Sequence, residues 1–210
     1  SDDASWSLHV VRLMIGGKIQ NYRNILRRYI RDYGENEDIN RAVQVLERAK
    51  RDALKAQDKT ELIGYEGMAS NAYFEVLPIL ILNQKTDFPF HGRNRRPPKD
   101  AVNAMLSFAY TLIANDVAAA LETVGLDPYV GFLHTLRPGR TSLALDMMEE
   151  LRAYLGDRFI LSLINKRQIS VKDFLFQGDN GVVMTDKGKK TFITAWQARK
   201  REVIIHPYLN

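Results

Sequence analysis

Residues 17–34, GKIQNYRNILRRYIRDYG, indicate the fold class of this chain more clearly than any other stretch. Apolar side chains recur in it every three or four positions, which is the spacing of one face of an α-helix. The recurring residues are Ile19, Tyr22, Ile25, Leu26, Tyr29, Ile30 and Tyr33. Gly34 follows directly, and glycine commonly marks the end of a helix. The stretch therefore predicts an amphipathic helix with one buried face.

Most of the remaining sequence has the same helical pattern and predicts further helices. Segments of similar character cover residues 39–54, 60–83, 98–124, 143–155 and 187–201. Pro98 suits the first position of its helix. Thr141 or Ser142 is the predicted cap of the helix that begins at Leu143, and Asp186 is the predicted cap of the last helix.

Residues 168–185 alternate in part between apolar and polar side chains, and Gln177–Gly181 has the composition of a tight turn. This pattern predicts a β-hairpin. The predicted fold class is therefore mainly α, a multi-helix domain with one small β-hairpin near the C-terminal part.

The two ends of the chain suggest a domain taken from a longer protein. The chain opens Ser1-Asp2-Asp3 without an initiating methionine and stops after an apolar run. We interpret residues 1–17 as a linker or tag remnant and residues 18–210 as one helical domain, truncated at both ends. A chain of 210 residues is long enough to bury one hydrophobic core.

The composition narrows the function classes. Cysteine is absent, which excludes disulfides, zinc–cysteine sites and thiol nucleophiles within this sequence and agrees with a reducing cytoplasm. The longest uninterrupted apolar stretch, residues 76–82, contains a proline and is too short to cross a bilayer. We therefore expect a cytoplasmic protein with no membrane partner.

Basic residues cluster in two regions of a chain whose net charge is +5. Residues 166–201 carry nine lysines and arginines against three aspartates, and a second cluster comprises Arg93, Arg95, Arg96 and Lys99. Such clusters suit a polyanion, because each neutralised phosphate releases condensed counterions. A solvated basic face explains the same pattern equally well.

Three features carry residues suited to chemistry, and each has a structural alternative. Glu66 lies in Gly64-Tyr65-Glu66-Gly67-Met68-Ala69, where the alternative is close helix packing at the small residues, with Glu66 exposed. His134 follows Gly131-Phe132-Leu133 and could be a hydrogen-bonded core residue. Asp146 and Glu149 share one helical face, and a solvated acidic face is their alternative.

Taken together, the three features suit a divalent metal. One imidazole with carboxylates matches the preferences of Mg²⁺ or Mn²⁺. Such an ion polarises a phosphate or activates water, and the nearby Arg137 and Arg140 would position a phosphodiester. Other common chemistries lack their motifs: Gly16-Gly17-Lys18 is not a phosphate-binding loop, and neither a nucleophile elbow nor a metal-spaced histidine pair occurs.

Several segments, in this order and spacing, resemble one known family. They are Tyr65-Glu66-Gly67, Asn94-Arg95-Arg96-Pro97-Pro98-Lys99-Asp100, Asn103-Ala104-Met105-Leu106-Ser107, Gly131-Phe132-Leu133-His134 and Arg140-Thr141-Ser142-Leu143-Ala144-Leu145-Asp146-Met147-Met148-Glu149. The tail from Val183 to Lys200 belongs to the same set. The chain from about Lys18 onward resembles the first CRISPR-associated protein, the metal-dependent integrase of spacer acquisition, and its style is similar to the versions in type I-C systems.

The resemblance implies roles for individual residues. Glu66, His134 and Glu149 match the metal ligands, and Asp146 matches a nearby carboxylate that supports the catalytic site or contacts the metal. Arg137 and Arg140 fall where the family places basic residues against DNA. Arg95 and Arg96, which belong to the basic cluster described above, are expected to bind DNA as well. Tyr110 occupies a position where related proteins carry an active-site tyrosine, although packing in an apolar helix is an equal alternative.

The resemblance also implies an activity and partners. A 3′-hydroxyl of spacer precursor DNA would attack a phosphodiester at the CRISPR repeat, with Mg²⁺ or Mn²⁺ at the site, in a prokaryotic antiviral defence. The expected partners are DNA, the second CRISPR-associated protein and, in the full-length protein, a second copy. The family's β-rich N-terminal domain is not recognisable here, so a helical DNA- or partner-binding module without catalysis is the alternative function.

Overall fold

The computed structural model describes residues 3–134 and 137–203, and this part of the chain is mainly helical. Its α-helices are α1 (Ala4–Tyr33), α2 (Glu37–Ala53), α3 (Lys59–Val76), α4 (Ala101–Thr123), α5 (Ser142–Leu151), α6 (Arg158–Asn165) and α7 (Asp186–Lys200). A short 3₁₀ turn over Leu77–Leu80 carries Pro78 just beyond the end of α3, so the helix predicted over residues 60–83 ends at Val76. The predicted fold class is confirmed.

The prediction of a linker before residue 18 is wrong for the described residues. Residues 4–17 form the first half of α1, whose amino terminus is capped by the Asp3 carboxylate. Val11 and Ile15 are fully buried. Their burial continues the apolar face predicted from Ile19 onward, so packing extends the helix upstream by almost four turns.

The amino-terminal ends of α4 and α7 differ from the predicted ones. Helix α4 begins at Ala101 rather than Pro98, because the Asp100 carboxylate accepts a hydrogen bond from the Asn103 amide at 2.7 Å. Helix α7 is capped by Thr185 rather than Asp186, since the Thr185 hydroxyl accepts from the Gly188 amide.

The predicted hairpin is present and packs onto the loop before α4. Strands β1 (Phe174–Phe176) and β2 (Val182–Met184) pair antiparallel. The Val182 amide donates to the Pro98 carbonyl at 2.8 Å. Gly181 has φ +85, and a Cβ there would lie 2.5 Å from the same carbonyl, so this contact requires glycine.

The helix predicted over residues 143–155 is longer and irregular. After α5 the chain makes a π-helical turn, Arg152–Asp157, and continues into α6. π-Helical turns within α-helices are frequent at functional sites. Here Asp157 is buried, and Arg152 is almost so.

Helix α1 lies at the centre of the fold, in contact with α2, α3 and α5. Tyr22 of α1 stacks on Tyr73 of α3 with 4.0 Å between ring centroids. Helix α4 is long and apolar enough, by length and composition alone, to cross a membrane. It packs against α5 and β2, and many of its side chains are buried, which is also the pattern of a soluble core helix.

Candidate metal and DNA site

A cavity of about 340 Å³ opens where α1, α3, α5 and the segment before α5 meet. Its walls carry the three residues predicted as metal ligands, Glu66, His134 and Glu149. These residues come from three separate segments of the chain. The fold therefore brings together the set on which the predicted chemistry depends.

Both glutamates in the cavity contact one ammonium group. The Lys18 Nζ donates to Glu149 Oε2 at 2.7 Å and also contacts Glu66 Oε1. Ser70 Oγ donates to the same Glu66 oxygen at 2.7 Å. Arg152 pairs with the second Glu149 oxygen at 3.0 Å.

Burial and charge act in opposite directions on these groups. Burial raises the pKa of Glu66, but Lys18 and the Ser70 hydrogen bond outweigh it, so the pKa of Glu66 is lowered. Burial alone would lower the pKa of Lys18, yet the neighbouring Tyr22 and the two glutamates raise it above its ordinary value. Lys18 is therefore charged at neutral pH.

The segment before α5 is held by the Asp146 carboxylate. One oxygen accepts hydrogen bonds from the amides of Phe132 and Leu133 at 2.6 and 2.8 Å, and the other accepts from the His134 amide at 3.0 Å. The His134 Nδ1 also contacts Asp146 Oδ1, which makes Nε2 the ring nitrogen that would face a metal. Asp146 thus orients the histidine, and its side chain is fully buried.

Gly131 makes this arrangement sterically possible. A Cβ at Gly131 would lie 2.7 Å from the Ser142 Cβ and 2.8 Å from Asp146 Oδ2. Only a residue without a side chain lets the backbone pass this close to the start of α5. The glycine of the predicted Gly131–His134 motif therefore has a packing role.

We expect Asp146→Asn to weaken Mn²⁺ binding by about 10- to 100-fold, the usual cost of removing a carboxylate that orients a metal-binding histidine. The amide keeps the shape but loses the negative charge and one acceptor oxygen. Isothermal titration with Mn²⁺ measures the effect. Asp127→Asn, an exposed aspartate that also bonds to a backbone amide in this segment, is the matched control. Equal affinities for the two variants would contradict the orienting role.

The predicted DNA-binding arginines divide into two pairs. Arg95 and Arg140 line the cavity, whereas Arg96 and Arg137 are exposed outside its lining. All four remain predicted phosphate contacts, and Arg95 and Arg140 are the two beside the predicted ligands.

Tyr110 lies behind the cavity and does not line it. Its hydroxyl donates to Asp157 Oδ1 at 2.6 Å, and the guanidinium groups of Arg93 and Arg152 lie 5.4 and 4.9 Å from its ring centroid. Burial raises the pKa of Tyr110 well above its ordinary value. Tyr110 is thus buried and connected to the cavity indirectly, because Arg152 contacts both the Tyr110 ring and Glu149.

The glycines beside Glu66 do not mediate close packing. A Cβ at Gly64 or Gly67 would have no neighbouring atom within 4 Å. The exposed Ile63 and Met68 lie on the same helix. The packing alternative for this motif is therefore wrong, and Glu66 is half-buried in the cavity rather than exposed.

The donor chemistry of the cavity fits a hard divalent cation. Two carboxylates and one imidazole are suitable ligands for Mg²⁺ or Mn²⁺. Within residues 3–134 and 137–203, no three acidic or histidine side chains are already arranged around a single point. Glu66, His134 and Glu149 therefore line one cavity without forming a ready-made ligand cluster.

Comparison with known proteins identifies the family. Residues 1–198 match the protein family described as CRISPR associated protein Cas1. The chain belongs to the Cas1 family. Over its full length it is 44% identical to the CRISPR-associated endonuclease Cas1 of Leptospira interrogans serogroup Icterohaemorrhagiae serovar Lai, and 47% identical to the endonuclease Cas1 1 of Chlorobaculum tepidum.

The structure of a Cas1 protein from Thermotoga maritima has the same fold. It superposes with a TM-score of 0.82 and is 29% identical over 95% of this chain. The chain spans 84% of the Leptospira relative but only 62% of the Chlorobaculum relative and 60% of the Thermotoga chain. The predicted Cas1 membership is confirmed, while the type I-C subtype stays a prediction.

Sequence reasoning missed several residues of the cavity and its surroundings, notably Lys18, Arg152 and Asp157. A signal for Lys18 exists. Counted from the true start of α1, it falls on the buried stripe formed by Val11, Ile15 and Tyr22. A lysine on an apolar stripe indicates a buried, paired charge.

Proposed function

We propose that this Cas1 chain is the helical catalytic part of a metal-dependent DNA endonuclease and integrase. The observation that carries the proposal is the shared cavity of Glu66, His134 and Glu149, with Arg95 and Arg140 in its walls. Carboxylates beside arginines suit a phosphodiester, because the former bind a cation and the latter bind phosphate oxygens. The Cas1 relatives are named endonucleases, which supports this class of activity.

Glu66, Glu149 and His134 would hold Mg²⁺ or Mn²⁺. When bound, the ion supplies positive charge at the phosphate and activates the attacking hydroxyl or water. Asp146 holds His134 in one orientation, and Arg152 holds Glu149. Arg95 and Arg140 are placed to position the phosphodiester, and Arg96 and Arg137 to bind DNA further from the cavity.

The proposed reaction joins spacer precursor DNA to a CRISPR repeat. The 3′-hydroxyl of the incoming strand loses its proton to solvent and forms a new bond to the phosphorus. The bond between that phosphorus and the 3′-oxygen of the repeat strand breaks, and the leaving oxygen takes a proton from solvent. The proposed partners are DNA, the second CRISPR-associated protein and a second copy of the full-length protein, in the cytoplasm of a prokaryotic cell. Attack by water at the same site gives nuclease activity.

The experiment is incubation of the chain with a labelled branched DNA duplex and Mn²⁺. Products should appear with the metal, disappear with a chelator and return when Mn²⁺ is restored in excess. His134→Ala should abolish them, whereas His9→Ala, an exposed histidine near the start of α1, should not. DNA binding that weakens with salt but yields no metal-dependent product would favour the binding-module function instead.

A further inference from the structure

One lysine lies between the two acidic residues that are proposed to bind the metal. The Lys18 ammonium contacts Glu66 and Glu149, and its side chain is only 4% exposed. The three residues come from α1, α3 and α5, so this ion-pair triad links three helices. A cation in this position shares its partners with the ion that the cavity is proposed to bind.

In the metal-free protein, the triad offsets the repulsion between two neighbouring carboxylates. Two carboxylates that face one small space repel each other, and burial strengthens that repulsion. A charged lysine that contacts both groups removes it, and each buried charge gains the partner that it needs. Lysine suits this role better than arginine, because its ammonium is a compact charge on a flexible stem.

The same contacts oppose metal binding. An ammonium that stays between the carboxylates adds like-charge repulsion to an incoming divalent cation and occupies the oxygens that would bind it. The other contacts of the glutamates leave free the two oxygens that Lys18 occupies or carry no charge. Ser70 is neutral, and Arg152 approaches the Glu149 oxygen that Lys18 does not bind.

We propose that Lys18 is a built-in stand-in for the metal ion: it holds Glu66 and Glu149 together in the metal-free protein and withdraws from between them when a divalent cation binds. The cavity that Lys18 lines offers space for its ammonium to move. Lys18 is thus a positioning residue, which acts on the reaction through the two glutamates. The inference rests on the proposed metal site and adds a competing, intrinsic cation to it.

The first test uses the unmutated, ¹⁵N-labelled chain. A buried, ion-paired lysine ammonium exchanges slowly with water, so we expect a ¹H–¹⁵N signal from Lys18 Nζ in the metal-free protein, assigned by its loss in Lys18→Arg. Saturating Mg²⁺, which is diamagnetic, should shift the backbone signals of His134 and Glu149 and abolish or strongly shift the ammonium signal. Shifted backbone signals with an unchanged ammonium signal would overturn the role of Lys18.

The same titration separates this inference from the proposed function. If Mg²⁺ and Mn²⁺ both leave the cavity signals unchanged, no metal binds there, and both proposals fall. If metal shifts the cavity signals but leaves the ammonium signal unchanged, the metal site is supported and the proposed role of Lys18 is wrong.

Lys18→Met provides a second, quantitative test by Mn²⁺ titration and thermal unfolding at pH 8. We expect Mn²⁺ to bind at least about 10-fold more tightly, because one positive charge has been removed from the site. The metal-free variant should melt at a lower temperature and gain more from Mn²⁺ than the unmutated chain. Lys18→Arg should not gain affinity.

Lys50→Met is the matched control. Lys50 also bonds to a side chain of α1, Gln20, but lies away from the cavity. Its replacement should leave Mn²⁺ affinity unchanged. An unchanged or weaker affinity in Lys18→Met would overturn the proposal, since a lysine with a purely structural role does not compete with the metal.

Discussion

Glu149→Gln is expected to reduce metal-dependent DNA cleavage and joining by roughly 1,000-fold or more, equivalent to about 4 kcal/mol of transition-state stabilisation. Glutamine keeps the size of the side chain but cannot supply the negative charge that a divalent ion requires. The variant also removes the carboxylate that Arg152 contacts and one of the two that Lys18 contacts. The site therefore becomes more positive where it should attract a cation.

The measurement is the initial rate on a labelled branched duplex at saturating Mn²⁺. Glu150→Gln is a close control, because it makes the same chemical change one position later on α5, outside the lining of the cavity. Thermal unfolding of both variants separates loss of the site from loss of the fold. A Glu149→Gln rate within about tenfold of the control would contradict the assignment of this residue as a ligand.

Asp157→Asn is expected to stabilise the protein at neutral pH, although it alters a buried residue. Asp157 is held among Tyr110, Arg152 and Arg93, and the Tyr73 hydroxyl lies near it without a well-formed hydrogen bond. Burial raises the pKa of Asp157 from 3.8 to about 6, against the opposing effects of its neighbours. A shift of that size corresponds to about 3 kcal/mol.

The sign of the pH dependence follows from which state binds the proton more tightly. Because the pKa of Asp157 is higher in the folded chain, the folded state holds more protons than the unfolded state between about pH 4 and pH 6. The contribution of Asp157 to the free energy of unfolding therefore falls as pH rises through this window and is constant above it. Asparagine removes this cost and keeps an acceptor for Tyr110.

Urea unfolding of the two proteins between pH 4 and pH 8 tests this prediction. The variant and the unmutated chain should have similar stability near pH 4, and the variant should gain up to about 3 kcal/mol by pH 8. Asp186→Asn, at a fully exposed aspartate, should show no such gain. Lower stability of Asp157→Asn across the whole range would mean that the ionised carboxylate stabilises the arginines more than burial penalises it.

The fold could largely be predicted from the sequence, because its signals are local. The spacing of Ile19, Tyr22 and Leu26 defines a buried helical face whatever the face packs against. The first residue of each helix was less predictable. Asp100 caps α4 because its side chain reaches the Asn103 amide, and the preceding prolines remain in a loop that binds the hairpin.

The candidate site could be predicted only in part. Glu66, His134 and Glu149 were recognisable by their residue types and by the motifs around them, and the fold places all three in one cavity. The same information did not reveal that Asp146 binds three backbone amides. It also offered close packing as the reason for Gly67, where the structure has open space.

Local sequence was enough to predict the helical class, the Cas1 family motifs and the residues suited to a metal, because each of these depends on a few neighbouring positions. The contacts of Lys18 with Glu66 and Glu149 join residues 48 and 131 positions apart and became visible only in the folded chain. Those contacts exist because α1 packs against both α3 and α5. Packing of this kind depends on the shapes of whole helix faces, so the charge at the centre of the site could not be read from local spacing.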